Sequence, residues 1–167
     1  MGRSGALDTA IVSIGPTEPP EGLHMFVVAD EAIDAVVITT DELASRATIP
    51  LTALRDRALI ALPVGTGIRQ QLEQACAAAG FTPIISFEAN TPLALVELAE
   101  HGLGIAVVPR PYWQGRDKLH PLMITPKLHA RLVLAWRSTS PISPATRAFV
   151  EKARSRLAPE RWRTRRP

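Results

Sequence analysis

Leu59-Ile60-Ala61-Leu62-Pro63-Val64-Gly65-Thr66-Gly67-Ile68-Arg69 is an apolar run that stops at a proline, turns through two glycines and continues with helical spacing. Ile68, Leu72, Ala75, Cys76 and Ala79 recur at the intervals of one helix face, and Gly80 stops that helix. Residues 81–87 read as a second strand, Thr91-Pro92 opens a second helix that Gly102 stops, and residues 103–108 read as a third strand ended by Pro109. Strands that alternate with single helices pair in parallel, with the helices laid over the sheet. Ligands of such sheets sit at the carboxyl ends of strands, where the chain turns into a helix. The turns 64–69 and 88–92 are therefore the first places to look for a site.

Outward from this segment the reading is less regular. Residues 7–13 read as a short strand, followed by the proline-rich linker Pro16-Thr17-Glu18-Pro19-Pro20. Residues 23–29 and 35–40 are strand-like, with Asp30-Glu31 either turning the chain between them or lying within one bulged strand. Residues 45–50 read as a loop and 51–54 as a single helical turn. After Pro109-Arg110-Pro111 and a polar turn at 114–118, residues 119–124 and 128–136 read as two strands. A last helix follows, with Ser143 as cap, Pro144 at its first position, and Phe149, Ala153 and Leu157 along one face. The expected organisation is a partial first lobe at 1–35, a second lobe at 36–109, a return to the first lobe at 110–157 and a basic tail at 158–167. A chain that leaves one lobe, builds another and returns has two crossover strands, which form a hinge.

At 167 residues the chain is long enough to bury roughly 70% of the surface it exposes unfolded. Its 46% hydrophobic and 21% charged residues are ordinary for a soluble globular protein. The net charge of +3 is concentrated at the end, where residues 154–166 hold six arginines around Trp162. That stretch reads as a solvated tail, or as a contact for an acidic partner. Without it the remainder is near neutral, which excludes a whole-surface nucleic-acid footprint. The single Cys76 excludes an intrachain disulfide and reads as a packed core thiol. No signal-peptide pattern and no apolar run near the roughly 20 residues of a spanning helix is present, so the expected location is the cytoplasm, with no membrane partner.

Catalytic motifs are lacking. No Gly-x-Ser-x-Gly elbow occurs, and Gly65-Thr66-Gly67 has neither the third glycine of a dinucleotide fingerprint nor the Gly-Lys-Thr ending of a phosphate loop. His24, His101, His120 and His129 show no metal-ligand spacing, so neither a metal nor a cofactor is expected. The glycine turn has a better claim to function. Gly65 and Gly67 leave uncovered amides at a helix start, Thr66 adds a hydroxyl, and a small carboxylate suits both. Thr66 as a plain helix cap is the competing reading, and Arg69 either reaches the same anion or lines the helix surface. Asn90 and Thr91, at the next strand-to-helix turn, read as caps or as further contacts.

Leu7-Asp8-Thr9-Ala10-Ile11-Val12, Leu51-x-x-Leu54, the run into Gly65-Thr66-Gly67-Ile68-Arg69, Ala79-Gly80-Phe81-x-Pro83 and Gly102-Leu103-Gly104-Ile105-Ala106-Val107-Val108-Pro109 stand in order and at characteristic spacing. As a set they resemble the effector-binding domain of LysR-type transcriptional regulators. The resemblance implies an α/β, two-lobed fold like type 2 periplasmic binding proteins, with the second lobe complete and the first incomplete. It implies a small effector in the cleft, lobe closure on binding and self-association. It also implies DNA contact only through a DNA-binding domain not found in these residues. The effector contacts expected are Val64, Gly65, Thr66, Gly67, Ile68, Arg69, Asn90 and Thr91. Two other classes compete: a ligand-independent interaction module, and a small enzyme using Asp41 or Glu88 for proton transfer.

Overall fold

The computed structural model describes residues 8–14, 21–137 and 143–157. Its elements are β1 (Thr9–Ile14), β2 (Leu23–Ile38), β3 (Thr48–Pro50), β4 (Ala58–Ala61), α1 (Gly67–Ala78), β5 (Ile84–Glu88), α2 (Pro92–Glu100), β6 (Ile105–Pro109), β7 (Leu119–Arg137) and α3 (Pro144–Leu157). The α/β alternation expected around the glycine turn is present. β4 pairs in parallel with both β5 and β6. The chain divides into a contiguous unit, residues 31–130, and a split unit made of 1–30 and 131–167. β2 and β7 each run without a break through a boundary between the two.

In the contiguous unit the strands lie in the order β2-β6-β4-β5. Alternate residues of β4 and β6 face opposite sides of the sheet, and both sides are covered. Leu59, Ala61, Ile105 and Val107 pack with Leu72 and Cys76 of α1 and with Leu51 and Leu54 of a 3-10 turn. Ile60, Ala106 and Val108 pack with Leu95, Val96 and Ala99 of α2. A strand buried on both faces needs no polar alternation, so its sequence reads as an unbroken apolar run. Gly104 admits the start of β6: its φ is +153°, and a Cβ there would meet the Ala58 carbonyl oxygen at 2.7 Å. The side chain that any other residue brings would push β6 away from β4.

Both helices stop at their glycines by one device. The Gly80 N–H donates to Ala77 O and the Phe81 N–H to Cys76 O, each at 3.0 Å. Gly102 and Leu103 repeat the pattern on Ala99 O and Leu98 O. Phe81 and Leu103 are thereby committed to closing helices, so the strands after them begin later than expected, at Ile84 and Ile105. Pro109, expected to end the third strand, is within β6 and pairs with Ile33 of the antiparallel β2.

Further expectations need correction. Part of the loop 45–50 is a strand, β3, which pairs in parallel with 123–125 of β7. Of the two readings of Asp30-Glu31 the turn fails and the single strand holds, because β2 runs unbroken from Leu23 to Ile38, while 119–124 and 128–136 belong to the single strand β7. In β7 Thr125, Pro126 and Lys127 are exposed while Ile124 and Leu128 stay in the core, so the apolar pattern lapses without the strand ending. Because Leu119, Leu122, Ile124 and Leu128 are buried with the cores of the contiguous unit, that unit extends past Pro109.

In the split unit β1 pairs antiparallel with β7, from Thr9↔Trp136 to Ile14↔Arg131. Ser143 caps α3 as expected, its Oγ accepting the Thr146 N–H at 3.1 Å, with Pro144 the first helical residue. The packed face differs from the expected one. Thr146, Val150 and Ala153 are buried, Val150 and Ala153 against Leu134 and Trp136, whereas Phe149 and Leu157 are exposed. The start of the expected first strand at Leu7, the proline-rich linker and the tail 158–167 lie outside the described residues.

Candidate functional site

The parallel register brings the carboxyl ends of β4, β5 and β6 to one edge of the contiguous unit, with Ile33 and Asp34 of β2 beside Pro109 and Val108. All the expected contact residues stand at this edge. Val64 projects from it and is 72% exposed. Gly65 has φ +94° with nothing within 4 Å of where a Cβ would stand, so the turn needs glycine for its backbone angle and not for space. Thr66 is the N-cap of α1, with extended backbone. Its Oγ1 donates to Pro63 O at 2.9 Å and accepts the Arg69 N–H at 3.4 Å. Gly67 opens the helix and is buried, and Ile68 packs against both core clusters. The N–H groups of Gly67 and Ile68 have no partner among the described residues, as expected for the first turn of a helix.

Arg69 does something that sequence spacing does not reveal. It is only 7% exposed, and so does not line the helix surface. Its Nη1 donates to Leu62 O at 3.1 Å and to Glu88 Oε1 at 2.7 Å, and its Nε donates to Glu73 Oε1 at 2.7 Å. One guanidinium thus ties the end of β4 to the end of β5 and to the second turn of α1. Burial works against the Arg69 cation, but the bonds from Glu88 and then Glu73 outweigh it and raise its pKa. With two carboxylates on one cation, Arg69 leaves this turn no net positive charge, and the unpartnered donors beside it are backbone amides.

Thr91 is the N-cap of α2 and accepts the Ala94 N–H at 3.2 Å, with Pro92 following as the first helical residue. Asn90 beside it is exposed. The carboxylates weighed for proton transfer are both engaged with arginines: Glu88 with Arg69, and Asp41 with Arg57 at 2.5 Å. Asp41 also caps a 3-10 turn by accepting the Leu43 N–H.

A second polar cluster at this edge is absent from the sequence reading. Asp34, on β2 between apolar neighbours, is 2% exposed. It accepts Arg110 Nε at 3.1 Å, Arg110 Nη2 at 3.4 Å and Trp113 Nε1 at 3.1 Å. The only signal in the sequence is one acid between Ile33 and the run Ala35-Val36-Val37, and nothing local names its partners. Its hydrogen bond to Arg110, followed by its charge, raises the Arg110 pKa and keeps that group cationic.

Comparison with known proteins returns one family model, "LysR substrate binding domain", matched by residues 1–158. The HTH-type transcriptional regulator YwbI of Bacillus subtilis (strain 168) is 28% identical over 157 residues, 92% of this chain and 51% of that protein. The HTH-type transcriptional regulator XapR of Escherichia coli (strain K12) is 30% identical over 98 residues, 59% of this chain and 33% of that protein. The chain therefore spans a third to a half of these relatives. Among solved structures, the Synechocystis PCC6803 CcmR regulatory domain in complex with 2-PG superposes with TM-score 0.76 at 24% identity, covering 92% of this chain and 74% of that one. The effector binding domain of QuiR in complex with shikimate gives TM-score 0.75 at 24% identity, covering 87% and 69%.

Proposed function

The chain belongs to the LysR substrate binding domain family, and from that premise we propose that it senses a small carboxylate-bearing effector at the strand-end edge of residues 31–130. The single observation that carries this reading is the start of α1. There the N–H groups of Gly67 and Ile68 are unpartnered among the described residues, beside the Thr66 hydroxyl and at the end of a central strand. A carboxylate gains about 0.3–1 kcal/mol from the helix dipole and about 1.5–3 kcal/mol from each charge-assisted hydrogen bond. Two or three such contacts with some apolar burial reach the roughly −5 to −8 kcal/mol of a micromolar to sub-millimolar ligand.

Val64, Gly65, Ile68, Asn90 and Thr91 form the remaining proposed contacts, and Arg69 supports them by fixing the strand ends. Glu88, half-exposed beside the turn, suits an effector that carries hydroxyl groups next to its carboxylate. The relatives are transcriptional regulators and the two superposed domains hold 2-PG and shikimate, which agrees with a sensing role and not a catalytic one. Binding biases whichever conformation holds the effector better, and through it the geometry of the oligomer. DNA contact belongs to another domain of the regulator.

The test is calorimetry of the chain and of Thr66→Ala against a panel of small carboxylates that includes shikimate. Weaker binding with folding nearly unchanged is expected; undiminished affinity removes the turn from the site. A second reading, pairing of copies without ligand, draws on the edge strand β5, where Ile84 and Phe87 are exposed. Light scattering that shows a stable oligomer, with no thermal shift from any acid, favours it.

A further inference from the structure

We propose that Arg110 is an oxyanion-recognition residue, a guanidinium fixed by buried Asp34 that takes one carboxylate or phosphate group of the effector. The proposal rests on the reading of this edge as the effector site and adds a contact to it. Arg110 follows Pro109, the last residue of β6, so it leaves the sheet at the edge where β4 and β5 also end. Its side chain is 41% exposed while that of Asp34 is 3% exposed, so one end of the ion pair is sunk and the other faces water.

The Asp34 carboxylate engages Nε and Nη2, and Nη1 has no partner among the described residues. The Trp113 indole closes on the same carboxylate and is itself packed against the α2-side core, so the carboxylate that holds the guanidinium is fixed in its turn. An arginine fixed in this way has lost side-chain freedom before any ligand arrives, and its open N–H edge matches the fork of an oxyanion. Arg69, at the same edge, is spent on Leu62 O, Glu73 and Glu88. Arg110, with one carboxylate partner to Arg69's two and 41% of its side chain exposed, therefore offers an anion the open donors that buried Arg69 does not.

The experiment is an NMR titration of the full chain, labelled with nitrogen-15, by acetate and separately by inorganic phosphate. The Arg110 guanidinium and Trp113 indole resonances are followed, with Arg110→Lys for assignment and as the test variant. A saturable shift at both groups is expected. The anion that produces it identifies the group recognised, carboxylate or phosphate. Arg110→Lys keeps the charge and loses the fork, so the Trp113 response should need roughly tenfold more anion. No response at Arg110 to either anion, or an unchanged Trp113 titration in Arg110→Lys, overturns the proposal. Failure here with Thr66→Ala still weakening effector binding leaves the α1 turn standing, and the reverse pattern removes the turn alone.

Discussion

α1 and α2 each begin at a threonine cap just past the end of a strand, and their third residues show how differently the two starts are built. In α1 the first residue is Gly67 and the third is Arg69, whose side chain grips the ends of β4 and β5. In α2 the first residue is Pro92, which has no N–H, and the third is Ala94, which grips nothing. The start of α1 therefore presents more free amides and rests on a buried ionic mount. The start of α2 has one donor fewer and is held by apolar packing of Leu95 and Val96. The same cap residue serves two purposes: at α2 it finishes a helix, and at α1 it also borders a donor-rich surface.

The sharpest way to break this contrast is to remove the mount. Arg69→Met should cost about 3 kcal/mol in urea denaturation, at the low end for breaking a buried ion pair because Glu73 and Glu88 are half-exposed and rehydrate. A loss under about 0.5 kcal/mol would show that the ends of β4 and β5 hold without it. Next in size is a pH effect that belongs to α1 alone. Burial, reinforced by Glu73, pushes the Cys76 thiol up to about 11 from 9.0. The folded chain then holds this proton more tightly than the unfolded chain does. Its contribution is complete below about pH 9 and falls by about 1.4 kcal/mol per unit toward pH 11. Denaturation midpoints across that range should follow this slope, and Cys76→Val should flatten it.

Smaller effects separate the two caps. Thr91→Ala should lose about 1 kcal/mol of stability, since its hydroxyl bonds the Ala94 amide at 3.2 Å. Thr66→Ala should lose about 0.5 kcal/mol, because its capping contact to the Arg69 amide is longer, at 3.4 Å. In effector binding the order should reverse, with Thr66→Ala the weaker binder. Equal losses in both measurements would erase the distinction between the two starts.

What sequence reading reaches follows from how far apart the interacting residues lie. The caps Thr66, Thr91 and Ser143 each bond an amide three residues on, and the helix-closing glycines act within five. Such devices sit inside one window of sequence, and with the apolar runs they make the α/β alternation legible. Arg69 and Glu88 are 19 residues apart, and Asp34 stands 76 from Arg110 and 79 from Trp113. No local pattern encodes those pairs. β3 was hidden for the same reason, being a three-residue strand that exists only because distant β7 pairs with it. The buried face of α3 is chosen by Leu134 and Trp136, so helical periodicity alone placed it wrongly, at Phe149 and Leu157.

The division of the chain at 30/31 and 130/131 also bears on how the protein is made. A ribosome delivers residues in order, so the whole of 31–130 emerges as one piece and can collapse on its own core at once. β1 precedes that piece, yet it must wait for 131–136, its partners in β7, which emerge only after the whole of 31–130. Until then β1 lacks that partner, and a chain stalled before Arg131 leaves it so.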